Sequence, residues 1–329
     1  MKLNSQLIRS LRLILALSSG SLFAHIIHIP MSSWVFITTA VIVFDQDTVG
    51  GTINRSFMRF LATFAGAIIS LICILLIKDY TWLIWTIVLL SNFGFAYFYI
   101  GKKQSYIGLL ASITLAMLLL GNKPPDLYTG IYRVMDILIG VSFALLSMLL
   151  FFPEYALKKL PKLITSLIQD NINLIKSIEK LNDIELIRQQ IITIEDNFIN
   201  NVSKFNKALE ESGHELSGKK HPLLIESYRL SSVQVRRIYR LIFVVFYYEF
   251  ENEMINNLHI KQALLLIVTL MENLSVETES SMLENSFTKL SQITDSLPQQ
   301  NVSKTIRHIH NELFILENLL AKSKQLTHT

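Results

Sequence analysis

The sequence predicts an all-α membrane protein. Six transmembrane helices, set out as two inverted three-helix halves over residues 1–152, precede a cytoplasmic α-helical bundle over residues 153–329. Three observations carry that expectation. The 329 residues are 51% hydrophobic and only 17% charged, with a mean hydropathy of +0.40, too apolar for an ordinary soluble protein of this size. The charge is unevenly divided: residues 1–152 hold 10 of the 30 Lys and Arg and 5 of the 26 Asp and Glu, which leaves 20 and 21 for the remainder. Apolar residues also recur at helical spacing, with no sustained alternation of the kind a half-buried strand needs.

Each span has its own signal. The first, Leu11–Ile29, follows Lys2, Arg9 and Arg12. Ser21-Leu22-Phe23-Ala24 faintly suggests a signal cleavage site, but apolar character continues through His25-Ile26-Ile27-His28-Ile29, so a retained helix is expected. The second, Met31–Phe44, is short against the ~20 residues that cross a ~30 Å hydrocarbon layer. It reaches that length only by carrying Asp45 and Asp47 with it. Gly50-Gly51 then signals a turn, which makes these carboxylates a helix end in water; the alternative is a proton or cation site. The third helix, from about Thr52 with its membrane part Phe57–Ile77, is longer than a span requires and carries Arg59. Thr81–Ile100, Gln104–Leu120 and Tyr132–Phe152 complete the set.

Basic residues orient these spans, because cytoplasmic loops are enriched in Lys and Arg. Lys2, Arg9, Arg12, Arg55, Arg59, Lys102, Lys103, Lys158, Lys159 and Lys162 fall on one side, and only Lys78 and Lys123 on the other. Both termini are therefore expected in the cytoplasm. Trp34, Trp82, Trp85, Tyr128 and Tyr132 then gather at the outer boundary, and Tyr97 and Tyr99 at the inner one, as aromatic belts do. A pI near 9.0 reflects these flanking loops and not a nucleic-acid-binding surface.

The second half has no long uncharged span. Helices are expected over Leu163–Leu181, Ile184–Leu209, Leu223–Phe250, Ile260–Leu274 and Ile306–Leu320, with loops at Gly213–Pro222 and Pro298. Phosphate loops, zinc-type His/Glu spacings and nucleophile elbows do not occur, so neither an enzyme nor a cofactor is expected. A metal cluster is not expected either, and Cys73, the only cysteine, excludes an intrachain disulfide.

The arginines inside apolar helices are the strongest functional signal. A cation at mid-bilayer costs roughly 2.5 to 3.5 kcal/mol on insertion scales, so it normally faces a wet cavity or a partner. Arg59, Thr63, Gly66, Ser70 and Cys73 share one face of the third helix; Arg133, Asp136, Gly140, Ala144 and Ser147 share one face of the sixth. The small residues suit close helix packing, but packing does not account for the arginines. The helices run in opposite directions, which places one arginine toward each end of a single anion path. Asp136, one turn from Arg133, either pairs with it or carries a proton. Phe93, Phe95, Tyr97, Phe98 and Tyr99 point all round their helix, so most face lipid or protein.

The segment Thr48-Val49-Gly50-Gly51-Thr52-Ile53-Asn54-Arg55-Ser56-Phe57-Met58-Arg59 resembles the glycine–threonine–arginine signature of the fusaric acid resistance (FUSC) and aromatic acid exporter family. Arg133-Val134-Met135-Asp136-Ile137-Leu138-Ile139-Gly140, ending in Phe151-Phe152-Pro153, is similar to that family's closing membrane helix. The plan is also similar to that of the plant aluminium-activated malate transporters, dimeric anion channels. The sequence departs from the family at Asp47, where proline is frequent, and at Ala62-Thr63, where Gly-Thr is frequent. The resemblance implies an inner-membrane exporter of small organic anions, aromatic carboxylic acids among them. Arg59 and Arg133 line its path and Gly50, Gly51 and Thr52 form its helix break. It further implies a homodimer and a periplasmic adaptor protein as partners beside the lipid bilayer. A passive channel and a membrane-anchored scaffold are the competing readings.

Overall fold

The computed structural model describes residues 5–29, 32–77, 80–121, 127–180, 184–215, 221–251, 258–275, 280–296 and 301–328. Lys2, Met31, Lys78, Lys123, Leu181 and Pro298, used above to mark charges, ends and loops, lie outside them, as does part of the expected loop Gly213–Pro222. Among the described residues all regular structure is helical, and the chain divides into two compact units, Met1–Ala156 and Leu157–Thr329.

The first unit holds α1 (Ser5–Ile26), α2 (Ser33–Asp45), α3 (Val49–Ile77), α4 (Thr81–Tyr99), α5 (Ser105–Leu119) and α6 (Leu127–Leu150). Among the described residues four helices are long and apolar enough to cross a membrane: Gln6–Ile26 of α1, all of α3 and α4, and Tyr128–Leu150 of α6. The second and fifth expected spans are present as shorter apolar helices. α2 has 13 residues and α5 has 15, about 20 and 22 Å at 1.5 Å per residue. Polar sequence stops α2, whose chain turns extended at Gln46. The Gly101–Gln104 turn, with Gly101 at φ +74°, delays the start of α5.

The turn expected at Gly50-Gly51 is corrected. Both glycines and Thr52 lie buried in the first turn of α3. Thr48 caps that helix: its Oγ1 accepts from the Gly51 N–H at 3.1 Å, and the Val49 N–H donates to the Glu154 carbonyl at 2.9 Å. The break is therefore the short stretch 46–48, and the glycines lie inside the helix.

Helix pairing in this unit is crossed between the halves. α2 packs on α6 and α5 on α3, while α1 packs on α2 and α6, α4 on α5, and α3 on α6. Glycines set the two crossed contacts. A Cβ at Gly66 would lie 2.8 Å from the Ala111 carbonyl oxygen and 3.0 Å from Thr114 Cβ. At Gly140 it would lie 2.9 Å from the Val35 carbonyl oxygen and 2.7 Å from Thr38 Cβ. The registers correspond: each glycine follows its arginine by seven residues, and each threonine follows its partner carbonyl by three.

The second unit contains α7 (Ala156–Lys180, whose first residue belongs to the first unit), α8 (Ile184–Ser212), α9 (His221–Glu251), α10 (Leu258–Ser275), α11 (Ser280–Ser296) and α12 (Asn301–His328). One apolar core, including Leu167, Phe205, Ile238, Ile267, Leu290 and Leu313, joins these helices. α11 is not among the helices expected from the sequence, because its sequence is rich in Ser and Thr. Its buried Leu283, Phe287 and Leu290 stand at the i, i+4, i+7 spacing that marks a helix face.

Candidate functional site

The site lies where α2 and α5 face α3 and α6, and its residues are charged groups buried among apolar helices. Arg59 of α3 is only 4% exposed. One guanidinium nitrogen donates to the Tyr106 hydroxyl of α5 at 3.2 Å and another to Thr38 Oγ1 of α2 at 3.2 Å, while Nε is buried without a partner. Arg133 of α6 is equally buried. Its guanidinium carbon stands 3.2 Å from the Trp34 ring centroid, one nitrogen reaches Met117 Sδ at 3.4 Å, and its Nε too has no partner. Among the described residues neither arginine has a carboxylate within ion-pair distance.

The two arginines do not stand at opposite ends of the unit, as the sequence suggested. Their contacts on α2, Thr38 and Trp34, are four residues apart, which is one helical turn or about 6 Å of rise. Long side chains on antiparallel helices reach toward one level, so the two positive groups meet α2 about one turn apart. The expected Arg133–Asp136 pair is likewise absent as a contact. Asp136 is fully buried, and neither carboxylate oxygen has a hydrogen-bond partner. The aromatic face of Trp34 holds the guanidinium instead.

Two of the small residues make close helix contacts. Gly66 and Gly140 face the α5 and α2 backbones and do not open onto space. Ser70 turns its hydroxyl back to the Gly66 carbonyl at 2.8 Å, and Thr63 is buried beside them. Asp45 is the last residue of α2 and, like Asp47, is partly open to water, and each carboxylate has a basic partner. Asp45 pairs with Arg55 at 2.7 Å and Asp47 with Arg9 at 2.9 Å.

Two arginines went unremarked in the sequence except as loop charges. Arg12 is 1% exposed, and its guanidinium donates to the Phe151 carbonyl at 3.0 Å and to the Phe152 carbonyl. It neutralises the negative end of α6; its position between Leu11 and Leu13, inside an apolar run, is the signal that was there to find. Arg55 lies over the face of Tyr106, 3.5 Å from the ring centroid, so Tyr106 touches Arg55 through its ring and Arg59 through its hydroxyl. Among the described residues no His, Cys, Asp and Glu are grouped to hold a metal ion.

Buried, carboxylate-free guanidiniums in an apolar helical unit suit a transient anion. Among the described residues each also leaves a buried Nε donor without an acceptor. Comparison with known proteins identifies the same unit. Residues 17–147 match the profile described as "Fusaric acid resistance protein-like". Over 143 residues the chain is 29% identical to "Inner membrane protein YeeA" of Escherichia coli (strain K12). That match covers 43% of this chain and 40% of the relative, so the chain spans less than half of that protein's length in similarity. This helical unit, which carries both arginines, is thus similar to the fusaric acid resistance-like family of membrane proteins.

Proposed function

We propose that the protein is a transporter of the bacterial inner membrane that exports small organic anions, aromatic carboxylic acids among them, along a path built on Arg59 and Arg133. The observation that carries this reading is the pair of buried guanidiniums with unpartnered Nε groups and no carboxylate beside them. A guanidinium in a low-dielectric site selects a carboxylate by charge and by its planar fork of donors. The inner membrane and the general transport role are supported by the family match and by the relative's description. In this reading six helices form two inverted halves with both termini in the cytoplasm, and α2 and α5 are short helices held by their neighbours. The matched registers of Gly66 with Thr114 and of Gly140 with Thr38 favour such an internal duplication. The second unit then lies in the cytoplasm, and a homodimer with a periplasmic adaptor completes the assembly.

Uptake of radiolabelled benzoate into inverted membrane vesicles tests the reading. Wild-type protein is expected to accumulate the anion, and the Arg59→Ala, Arg133→Ala double variant, present in the membrane at equal amount, is expected to lose it. Uptake at the normal rate by the double variant overturns the path. Collapse of the proton gradient separates a pump, which stops, from a passive channel, which continues. A scaffold moves no anion in either arm.

A further inference from the structure

A second anion site lies beside the arginine centre. At the end of the unit where α4 finishes and α5 begins, a cavity of about 480 Å³ is lined by Arg55, Phe95, Tyr99, Ser105, Tyr106 and Ser112, among others. Its size falls within the range of small-molecule sites, and its walls are mostly apolar around a few polar groups, as such sites are. Arg55 supplies the charge. Its guanidinium rests on the Tyr106 ring, one nitrogen pairs with Asp45, and its Nε is buried and unpartnered. The Asp45 partner is 45% exposed and also accepts from Gln46 Nε2 at 2.6 Å. An ion pair this open to water is weak and readily exchanged.

We propose that this cavity is the loading site for a monoanionic aromatic carboxylate: Arg55 takes the carboxylate in exchange for Asp45, and the ring lies among Phe95, Tyr99 and Tyr106. The inference rests on the transport reading above and extends it. Carboxylate and guanidinium match in charge and planarity, and the aromatic walls suit a flat apolar ring better than a flexible chain. Tyr106 links this site to the buried centre, because its hydroxyl accepts from Arg59 while its ring carries Arg55. An anion leaving Arg55 therefore meets Arg59 across a single side chain.

The test is a fluorine NMR titration of 4-fluorobenzoate onto the full chain in phosphatidylcholine nanodiscs. Arg55→Gln is expected to weaken binding about tenfold or more, the usual size of a lost charge-assisted contact. Asp45→Asn removes the competitor and is expected to tighten binding by about threefold, a gain that a damaged fold does not produce. Tyr106→Leu weakens binding by removing the ring. Wild-type affinity in Arg55→Gln, or weaker binding in Asp45→Asn, overturns the proposal. Failure of fluorobenzoate to bind in phosphatidylcholine, together with Arg55-dependent retention of phosphatidylglycerol, overturns it in favour of a lipid headgroup. Vesicle transport separates the two readings. Normal transport with an unchanged KM in Arg55→Gln sinks the loading site alone. Wild-type vesicles that move no anion, with Arg55-dependent binding intact, sink the transport reading alone.

Discussion

Arg12 and the Arg59–Arg133 pair are all buried guanidiniums in the same helical unit, yet they are finished differently. Arg12 donates to two backbone carbonyls just past the end of α6, where the helix has acceptors to spare. Arg59 and Arg133 rest on a phenol, a threonine, an indole and a thioether, and each keeps a buried Nε without an acceptor. The difference lies in what remains unsatisfied. A cation saturated by main-chain oxygens holds the fold together, whereas one held by weak neutral partners retains capacity for an incoming anion.

The comparison is sharpest in a pair of substitutions. Arg59→Ala with Arg133→Ala is expected to lower benzoate transport by about a hundredfold, the combined loss of two charge-assisted contacts, with thermal unfolding in detergent close to wild type. Arg12→Ala should do the reverse: a loss of roughly 3 kcal/mol in stability, since carbonyls bonded to a cation are left without it. Lower yield of folded protein then tracks any fall in transport. Equal damage to folding in both variants breaks the distinction.

The glycine seams should rank next. Gly140→Ala places a methyl group 2.7 Å from Thr38 Cβ, closer than carbon atoms tolerate. Such overpacking costs about 1 to 3 kcal/mol, read as a lowered midpoint in a detergent melt. Gly94, whose Cβ position meets nothing within 4 Å, is the control and should accept alanine unchanged.

The smallest effects belong to the second unit, which also holds buried polar groups without a hydrogen-bond partner. Tyr239 stacks on Phe198 at 3.9 Å between ring centroids, but its hydroxyl is buried without a partner. Tyr239→Phe should stabilise the protein by about 1 kcal/mol, since it removes an unmet hydroxyl and keeps the stack. Burial, followed by the charges of Glu195 and Asp170, pushes the Tyr239 phenol up to about 12. The folded chain therefore holds this proton more tightly than the unfolded chain, and stability falls as pH rises past the ordinary phenol value toward 12; the phenylalanine variant should lose that fall. Burial likewise raises the Asp170 carboxyl, against the pull of the Asn201 amide and Lys204. Its contribution is complete below the unfolded carboxylate range and fades as pH climbs through the raised value. Asp170→Asn should flatten that slope in a pH series of melts.

How far these features were legible follows from how local their causes are. Helix positions came through where an apolar stripe or a long apolar run marks them, as in α3, α6, α8 and α9. α11 escaped because Leu283, Phe287 and Leu290 are diluted by hydroxyl and amide side chains. Gly50-Gly51 misled, since two glycines read as a turn until the Thr48 cap and the Glu154 carbonyl are seen to start a helix there. Within the site, Arg59 and Arg133 stood out by chemistry alone, but their partners did not. Thr38, Tyr106, Trp34 and Met117 come from other helices, and no spacing along α3 or α6 announces them. Gly66 and Gly140 were visible as small residues, and only the crossed pairing of helices shows which backbone each admits.

That crossed pairing limits how the molecule can move. Because α2 is seamed to α6 and α5 to α3, neither trio of helices can swing away as a separate lobe without tearing open two glycine contacts. Any change in which side the central charges face must therefore proceed by sliding along those seams, a shear of small steps, and not by opening a clam.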